Sequence, residues 1–553
     1  MASSALPLSE VKRWRLPSIE RWAAIVLIVA VALLQAELAV TKSINWDEFF
    51  HYAEINAALQ GRSVSLLQTP YVRLFSWVPA LPGSEIDHIR LIRLLFLPFE
   101  AAVAASLFLI IRKEIDRETA ACGALAYVTG GYVFLHALAL RSDTIAAALL
   151  MVALALASLR APKPWVLGAI AILTALATLS TIKSVFYFPV IGVTLWLKLE
   201  TRPRRVLAVV AAIAVVACAI FLLVSPALMA QWFGPGARET QAMLREAGVR
   251  MFPGKLLPQP SYLKWQMESA PILAGIIVWG AYCAARAPGL RKLLELSRFI
   301  PLLGVAFYFN AYPYHYAFIM PPAVIASAPA IQAIVRRYGS ISVGPVLFLN
   351  AAILSLHQDR GVIRRQEDVI SGVHLIFPQP VTYIDDVGIV AFPRAVNRFT
   401  SGWGLADYRS QGGPVYLRAA EAEPVPLLID DGGALDFLPG HRIAEKDSLL
   451  PADRAFVSEN YLPHWGKVFV AGKRIPAGQS ALELPIVIPG LYTLESSPAE
   501  IDGLHHGVGD VVRLDRGAHT IAGPRAGETL LRWGDHLPRP AAQWPQQPLF
   551  TDF

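Results

Sequence analysis

The stretch Asn45-Trp46-Asp47-Glu48-Phe49-Phe50-His51-Tyr52 places two adjacent carboxylates directly after the first apolar run of the chain. A carboxylate held firmly near a reacting hydroxyl can take its proton, the work of a general base. The spacing predicts a helix from this point to about Leu59. Asn45 would be its N-cap, and Glu48, three residues on, would complete a capping box. In a purely structural reading Asp47 only complements the helix dipole. The two readings are compatible, because a helix start is where a carboxylate is held most rigidly. His51 and Glu54 fall on the Asp47 side of the same helix.

Cations that could face an anion occur further on. Arg141-Ser142-Asp143 stands immediately before the apolar run that starts at Thr144, and Thr181-Ile182-Lys183 follows the run Trp165–Leu179. Fixed Arg and Lys side chains can stabilise charge developing on a leaving phosphate. The bland alternatives are snorkelling at a membrane interface for Arg141 and Lys183, and helix capping for Asp143. Tyr312-Pro313-Tyr314-His315-Tyr316 adds an aromatic cluster with one imidazole. Glu100 lies inside an apolar run, and Arg93, seven residues earlier, is its expected structural partner. An intramembrane carboxylate is commonly functional, so Glu100 also keeps open an ion-coupled transporter or lipid-linked sugar flippase.

These groups need a scaffold, and composition says which kind. Of 553 residues, 55% are hydrophobic and only 16% charged, against about a quarter charged in ordinary soluble domains. Apolar runs follow one another from Trp22 to Leu356, after which charge, Pro and Gly return. A helix needs roughly 20 apolar residues to cross the hydrocarbon, and about eleven runs qualify if the short ones borrow flanking residues. The expected fold class is a polytopic α-helical membrane protein with a C-terminal soluble α/β and β-rich domain. The expected segments are a cytoplasmic N-terminus (1–21), a transmembrane catalytic domain (22–357), a mixed α/β domain (358–480), a β-rich subdomain (481–535) and a Pro-rich tail (536–553).

Charge placement orients the spans. Lys12, Arg13, Arg15 and Arg21 precede the first run, and dense basic clusters recur at alternate connections, among them Arg112-Lys113 with Arg117, Arg202 to Arg205, and Arg291-Lys292 with Arg298. Positive clusters mark the cytoplasmic side. The N-terminus is therefore expected inside, and residues 358–553 outside, in the periplasm of a Gram-negative host. Ala36 and Ala39 resemble a weak signal-peptide cleavage site, but the length of the first run favours a retained anchor. The outer loops 41–90 and 230–269 are long, and Trp232, Arg245, Arg250 and Trp265 suit segments lying along the interface. The formal charge of +7 does not indicate nucleic acid, since the cations sit between apolar runs. All three cysteines lie in apolar runs, so the tail has no disulfide framework.

With the Asp-Glu pair outside the first span, a long first outer loop, Arg-x-Asp in the second and a Thr-x-Lys turn after the following spans, residues 10–360 resemble the GT-C superfamily of glycosyltransferases. Protein O-mannosyltransferases and the aminoarabinose and galacturonic-acid transferases acting on lipid A or core are the nearest likenesses. The resemblance implies a sugar donor linked to polyprenyl phosphate and a lipid, glycan or protein acceptor, with membrane lipids around the bundle. It implies Asp47 as base, Glu48 orienting it or the sugar, Arg141 and Lys183 on the donor phosphate, and His51, Asp143, Tyr312, Tyr314 and His315 as further candidates. A single base and direct displacement imply inversion at the anomeric carbon. No cofactor is assigned; a divalent cation is compatible with the resemblance, whose members differ in metal use.

In the tail, Val381–Ile384 and Pro426–Ile429 read as strands ending in the acidic turns Asp385-Asp386 and Asp430-Asp431. Tyr492–Leu494, Val511–Leu514, His519–Ala522 and Thr529–Trp533 alternate as strands of a small sandwich. His505, His506, Asp510 and His519 follow no zinc spacing. Trp403, Trp465 and Trp533 could stack on sugar rings or pack in a core.

Overall fold

A computed structural model describes residues 17–551 apart from 63–68, 161, 200–202, most of 227–253, 397–401, most of 432–447, 479–481 and 524–526. Lys12, Arg13, Arg15, Trp232, Arg245 and Arg250 lie outside the described residues, and so does the side chain of Trp403. The chain divides into two units, Met1–Ala39 with Leu94–Gln358, and Val40–Arg93 with Asp359–Phe553.

The first unit is helical because its sequence is rich in Leu, Ala, Val and Ile, with prolines confined mainly to first turns, where no N–H is missed. Pro98, Pro164, Pro203, Pro260 and Pro271 all stand at such starts, opening for example Leu97–Glu114, Pro164–Ser180 and Pro271–Arg286. Asp116 caps Arg117–Val128 by accepting the Thr119 N–H at 2.7 Å. Leu107, Ile111, Leu125, Met151, Leu154, Ile170, Phe318 and Ile331 form the buried centre. Gly280 lets the helix Pro271–Arg286 approach the turn at Ser327, where a Cβ would lie 2.6 Å from the Ser327 Cα.

The helix His315–Ala326 carries Pro321 and Pro322 in its interior. Each proline lacks the N–H that would bond the carbonyl four residues back, which orphans the carbonyls of Ala317 and Phe318. The Tyr127 hydroxyl donates to Ala317 O at 3.0 Å and the Tyr187 hydroxyl to Phe318 O at 2.5 Å. Two tyrosines from neighbouring elements thus supply the bonds that two prolines remove.

Among the described residues three helices are long and apolar enough to cross a membrane, or up to six if each bent pair is one span. Ser142–Ala157 and Pro164–Ser180 are apolar but shorter. Pro203–Val224 has only Val210 buried, as expected of a helix whose solvent is lipid. Glu100 is buried, but its partner is Gln35, whose Nε2 donates to it at 2.8 Å; the expected pairing with Arg93 is not made. Arg298, read as one of an orienting basic cluster, is fully buried and bonded to Glu114 and to Glu295.

The second unit combines the helices Trp46–Leu59, Thr69–Leu74 and most of Glu85–Leu95 with Gly361–Ile376 and a β-rich domain. Its strands are β1 (Tyr383–Ile384), β2 (Leu427–Ile429), β3 (Tyr461–Trp465), β4 (Val468–Ile475), β5 (Leu482–Ile486), β6 (Gly490–Glu495), β7 (Ala499–Ile501), β8 (Leu504–His506), β9 (Val511–Leu514), β10 (Gly517–Ala522) and β11 (Thr529–Trp533). One sheet runs β1-β2-β4-β11-β6-β9, with β3 also paired to β4; a second runs β5-β10-β7-β8. β1 and β2 are parallel, whereas β4 and β11 are antiparallel neighbours. The mixed segment and the β-rich end therefore share one sheet. Leu484, Ile486 and Ile521 of the second sheet share one buried cluster with Tyr492, Leu494 and Leu531 of the first.

The acidic pairs do turn chemistry. Asp385 Oδ2 accepts the Gly388 and Ile389 N–H groups at 2.6 and 3.0 Å, and Oδ1 accepts from Arg394 Nε at 2.8 Å. Asp431 accepts the Asp386 N–H at 3.0 Å; burial, then the neighbouring carboxylates of Asp385 and Asp386, pushes its carboxyl well above the usual range. Trp465 is buried, donates to Ala542 O at 2.7 Å and packs edge-on against Trp544. It is a packing residue, which removes it from the sugar-stacking candidates. Trp533 likewise donates to Pro489 O at 3.1 Å.

Candidate active site

In the second unit, the carboxylate pair opens the helix Trp46–Leu59. Asn45 sits in extended conformation and its side chain accepts the Asp47 N–H at 2.8 Å; Glu48 Oε2 accepts the Asn45 N–H at 3.2 Å. The capping box is therefore formed. Glu48 does more than cap. Arg93 Nε donates to Glu48 Oε1 at 2.8 Å, Arg93 Nη2 bonds Glu48 Oε2, and the same guanidinium donates to the carbonyls of Lys42 and Ser43 at 2.9 and 2.8 Å. Glu48 and Arg93 are both buried. A planar guanidinium is suited to this, since its fork serves a carboxylate and two carbonyls at once. Glu48 is thereby held in the framework of the turn. Its neighbour Asp47 is 8% exposed, with His51 Nε2 one turn on at 3.7 Å from Asp47 Oδ1. His51 in turn packs edge-on against Tyr71 at 5.4 Å. Glu54 is buried on the same helix.

Arg90, the last residue of the first long loop, donates to Val40 O at 2.8 Å and pairs with Glu367 at 2.8 Å.

In the first unit, the second cluster assembles around Asp143. The helix Ser142–Ala157 starts two residues earlier than the sequence suggested, with Arg141 at the N-cap position and no side-chain cap bond. Asp143 is consequently inside the helix and does not cap it. Its carboxylate, 1% exposed, meets Lys183 Nζ at 2.5 Å and Arg141 Nε at 3.9 Å. Lys183 arrives there because the helix Pro164–Ser180 stops at Thr181, whose extended backbone leads into the short 3-10 stretch Ile182–Tyr187. The Arg141 guanidinium lies 3.7 Å from the centre of the Tyr314 ring, and Lys183 Nζ is 4.9 Å from the same ring. Cations over an aromatic face gain from the ring quadrupole, so Tyr314 contributes to holding both cations beside the carboxylate.

The remaining candidates divide. His315 is fully buried and packed against Tyr308 and Phe318, and among the described residues neither ring nitrogen has a hydrogen-bond partner. Tyr312 is half-buried and contacts Tyr314 and Tyr262. The structure thus brings Arg141, Asp143, Lys183 and Tyr314 together, with Tyr312 and His315 as their aromatic surroundings. Tyr308, which sequence reasoning missed, has its ring 5.7 Å from Lys183 Nζ; its position four residues before Tyr312 was the available signal. Arg93 as the partner of Glu48 was also missed. Tyr132 and Trp265 stack at 4.3 Å nearby in the fold of this unit, fixed by Gln266, which bonds Tyr132 N and Gly130 O.

Among the described residues no group of three or more His, Cys, Asp or Glu side chains could hold a metal ion. His519 bonds Asp502 at 2.7 Å, and Asp510 accepts the Gly507 N–H.

The fold is GT-C-like. The chain matches the crystal structure of ArnT from Cupriavidus metallidurans bound to undecaprenyl phosphate at 13% identity and a TM-score of 0.51, over 74% of this chain and 94% of that one. The apo state of the same protein matches at 13% identity and a TM-score of 0.52, over 74% and 93%. An Archaeoglobus fulgidus oligosaccharyltransferase in complex with Zn and sulfate matches at 13% identity and a TM-score of 0.43, over 73% of this chain and 67% of that one. No protein-family model and no curated protein matches the sequence.

Proposed function

We propose that the protein is a membrane glycosyltransferase that moves a sugar from a polyprenyl-phosphate donor to an acceptor hydroxyl on the periplasmic side of a bacterial inner membrane. The observation that carries this is a fold shared along nearly the full length of ArnT, solved with undecaprenyl phosphate bound. The local chemistry supports it, since a lipid phosphate needs fixed cations and an attacking hydroxyl needs a base.

Asp47 takes the proton of the acceptor hydroxyl. The freed oxygen pair attacks the anomeric carbon, the bond from that carbon to the phosphate oxygen breaks, and its electron pair leaves on the phosphate. Arg141 and Lys183 stabilise the charge gathering there. The phosphate is already a stable anion, so no general acid is required. One base and one displacement give inversion at the anomeric carbon. Glu48 acts as a positioning residue, since its carboxylate is taken up by Arg93 and Asn45. Asp143 holds Lys183 in place.

Binding of undecaprenyl phosphate to the full chain in nanodiscs tests the phosphate assignment. Arg141→Gln keeps a polar side chain while removing the charge, and is expected to weaken binding roughly tenfold or more. Unchanged affinity would remove Arg141 from the donor site.

A further inference from the structure

The turn that carries the proposed base is clamped from a second direction, by residues far away in sequence. The Gln366 side chain, fully buried, treats Ile44 as a strand would: the Ile44 N–H donates to Gln366 Oε1 at 3.0 Å, and Gln366 Nε2 donates to Ile44 O at 2.7 Å. The same Nε2 donates to Leu549 O at 2.8 Å. One amide thus ties together the turn before Asp47, the helix Gly361–Ile376 and residue 549, all within the second unit.

Residues 536–551 are the described part of the Pro-rich tail, a strap that runs along the domain without helix or strand. His464 Nε2 donates to Pro538 O at 3.0 Å, Trp465 Nε1 to Ala542 O at 2.7 Å, and Arg365 Nη1 to Gln547 Oε1 at 2.7 Å. Gly466, at φ +53°, leaves the space Trp544 occupies, since a Cβ there would meet the indole at 2.3 Å. The strap ends its described course with Leu549 buried and the Phe550 ring set edge-on against Phe49, centroids 6.0 Å apart. Phe49 is fully buried and stands two residues after Asp47. Between them, Arg93 and Gln366 bond the carbonyls of Lys42, Ser43 and Ile44 in succession. Three consecutive carbonyls of that turn thus have buried side-chain donors, which answers the need of buried backbone acceptors for partners.

We propose that Gln366 and Phe550 are positioning residues for the base, and that the strap is a working part of the catalytic turn, locking Asp47 in its productive orientation. Proline suits the segment, because an extended chain with few donors loses little entropy when it docks. This rests on Asp47 being the base. A misplacement of about 1 Å in a reacting group costs on the order of 10²-fold in rate, while affinity for a donor held by other residues should not change.

The test uses the full chain with Gln366→Met, which keeps length and removes all three bonds, and Phe550→Ala, which removes only the ring contact. Asp47→Asn serves as the reference. Both variants are expected to lower kcat by roughly tenfold or more with the donor KM unchanged, and to speed amide exchange at residues 44–48. Should Gln366→Met not fold, Phe550→Ala carries the same test from a half-buried position. Wild-type kcat in Phe550→Ala, with Asp47→Asn inactive, would overturn the proposal and leave the base assignment standing. A rise in KM at unchanged kcat would also overturn it. Wild-type turnover by Asp47→Asn would instead defeat the functional assignment beneath it.

Discussion

Asp143 and Lys183 form a buried ion pair, and breaking such a pair by removing one member costs about 3–5 kcal/mol, an upper figure for Lys183 because Arg141 stays 3.9 Å from Asp143. Lys183→Met should therefore lower the thermal stability of the protein markedly, and Asp143→Asn on top of it should restore much of the loss. Thermal unfolding of the single and double variants measures this; equal stabilities would show that the pair carries little. Neither variant should support transfer, because the cation is gone in both. The capping box at Asn45 and Glu48 was legible in sequence because it is a contact over three residues. The partner of Glu48 was not, because Arg93 is 45 residues away, and helical spacing pointed Arg93 toward Glu100 instead. Capping, one of the two readings open for Asp143, is not what it does, for a related reason: local sequence shows an acid before an apolar run, but not the lysine 40 residues later that gives it another task.

At the scale of elements, the pairing of prolines with tyrosines on the helix His315–Ala326 makes a separate prediction. Tyr187→Phe keeps the ring and removes only the hydroxyl bonded to Phe318 O. A buried carbonyl left without a donor costs about 1–3 kcal/mol, so this variant should unfold at lower temperature than wild type. An unchanged midpoint would mean that the carbonyl finds another donor. Strands such as Val511–Leu514 and Thr529–Trp533 were legible from their alternation, and the acidic turns from their Asp pairs. The order of strands was not, since β4 and β11 pair across more than 50 residues of sequence. Nor was the course of the strap: prolines indicate an extended chain but say nothing about what it lies against. Tyr127 and Tyr187 read only as aromatic residues in apolar runs, because the need for their hydroxyls arises on another helix.

For the molecule as a whole, hydropathy sufficed to identify an apolar helical bundle and a separate β-rich domain, since it is a sum over many residues and tolerates local errors. The number of crossings is less legible, because several apolar runs fold as helices too short to span alone. Periplasmic placement of the β-rich domain predicts that Leu504→Cys, at a site 66% exposed, reacts with a membrane-impermeant thiol reagent added outside spheroplasts; reaction only after lysis would reverse the topology. The account turns finally on Asp47. Sugar transfer from a polyprenyl-phosphate donor by reconstituted wild-type and Asp47→Asn protein measures it most directly. The account predicts at least about a 10²-fold loss of kcat in the variant, with the fold and donor binding retained; turnover at the wild-type rate would contradict it.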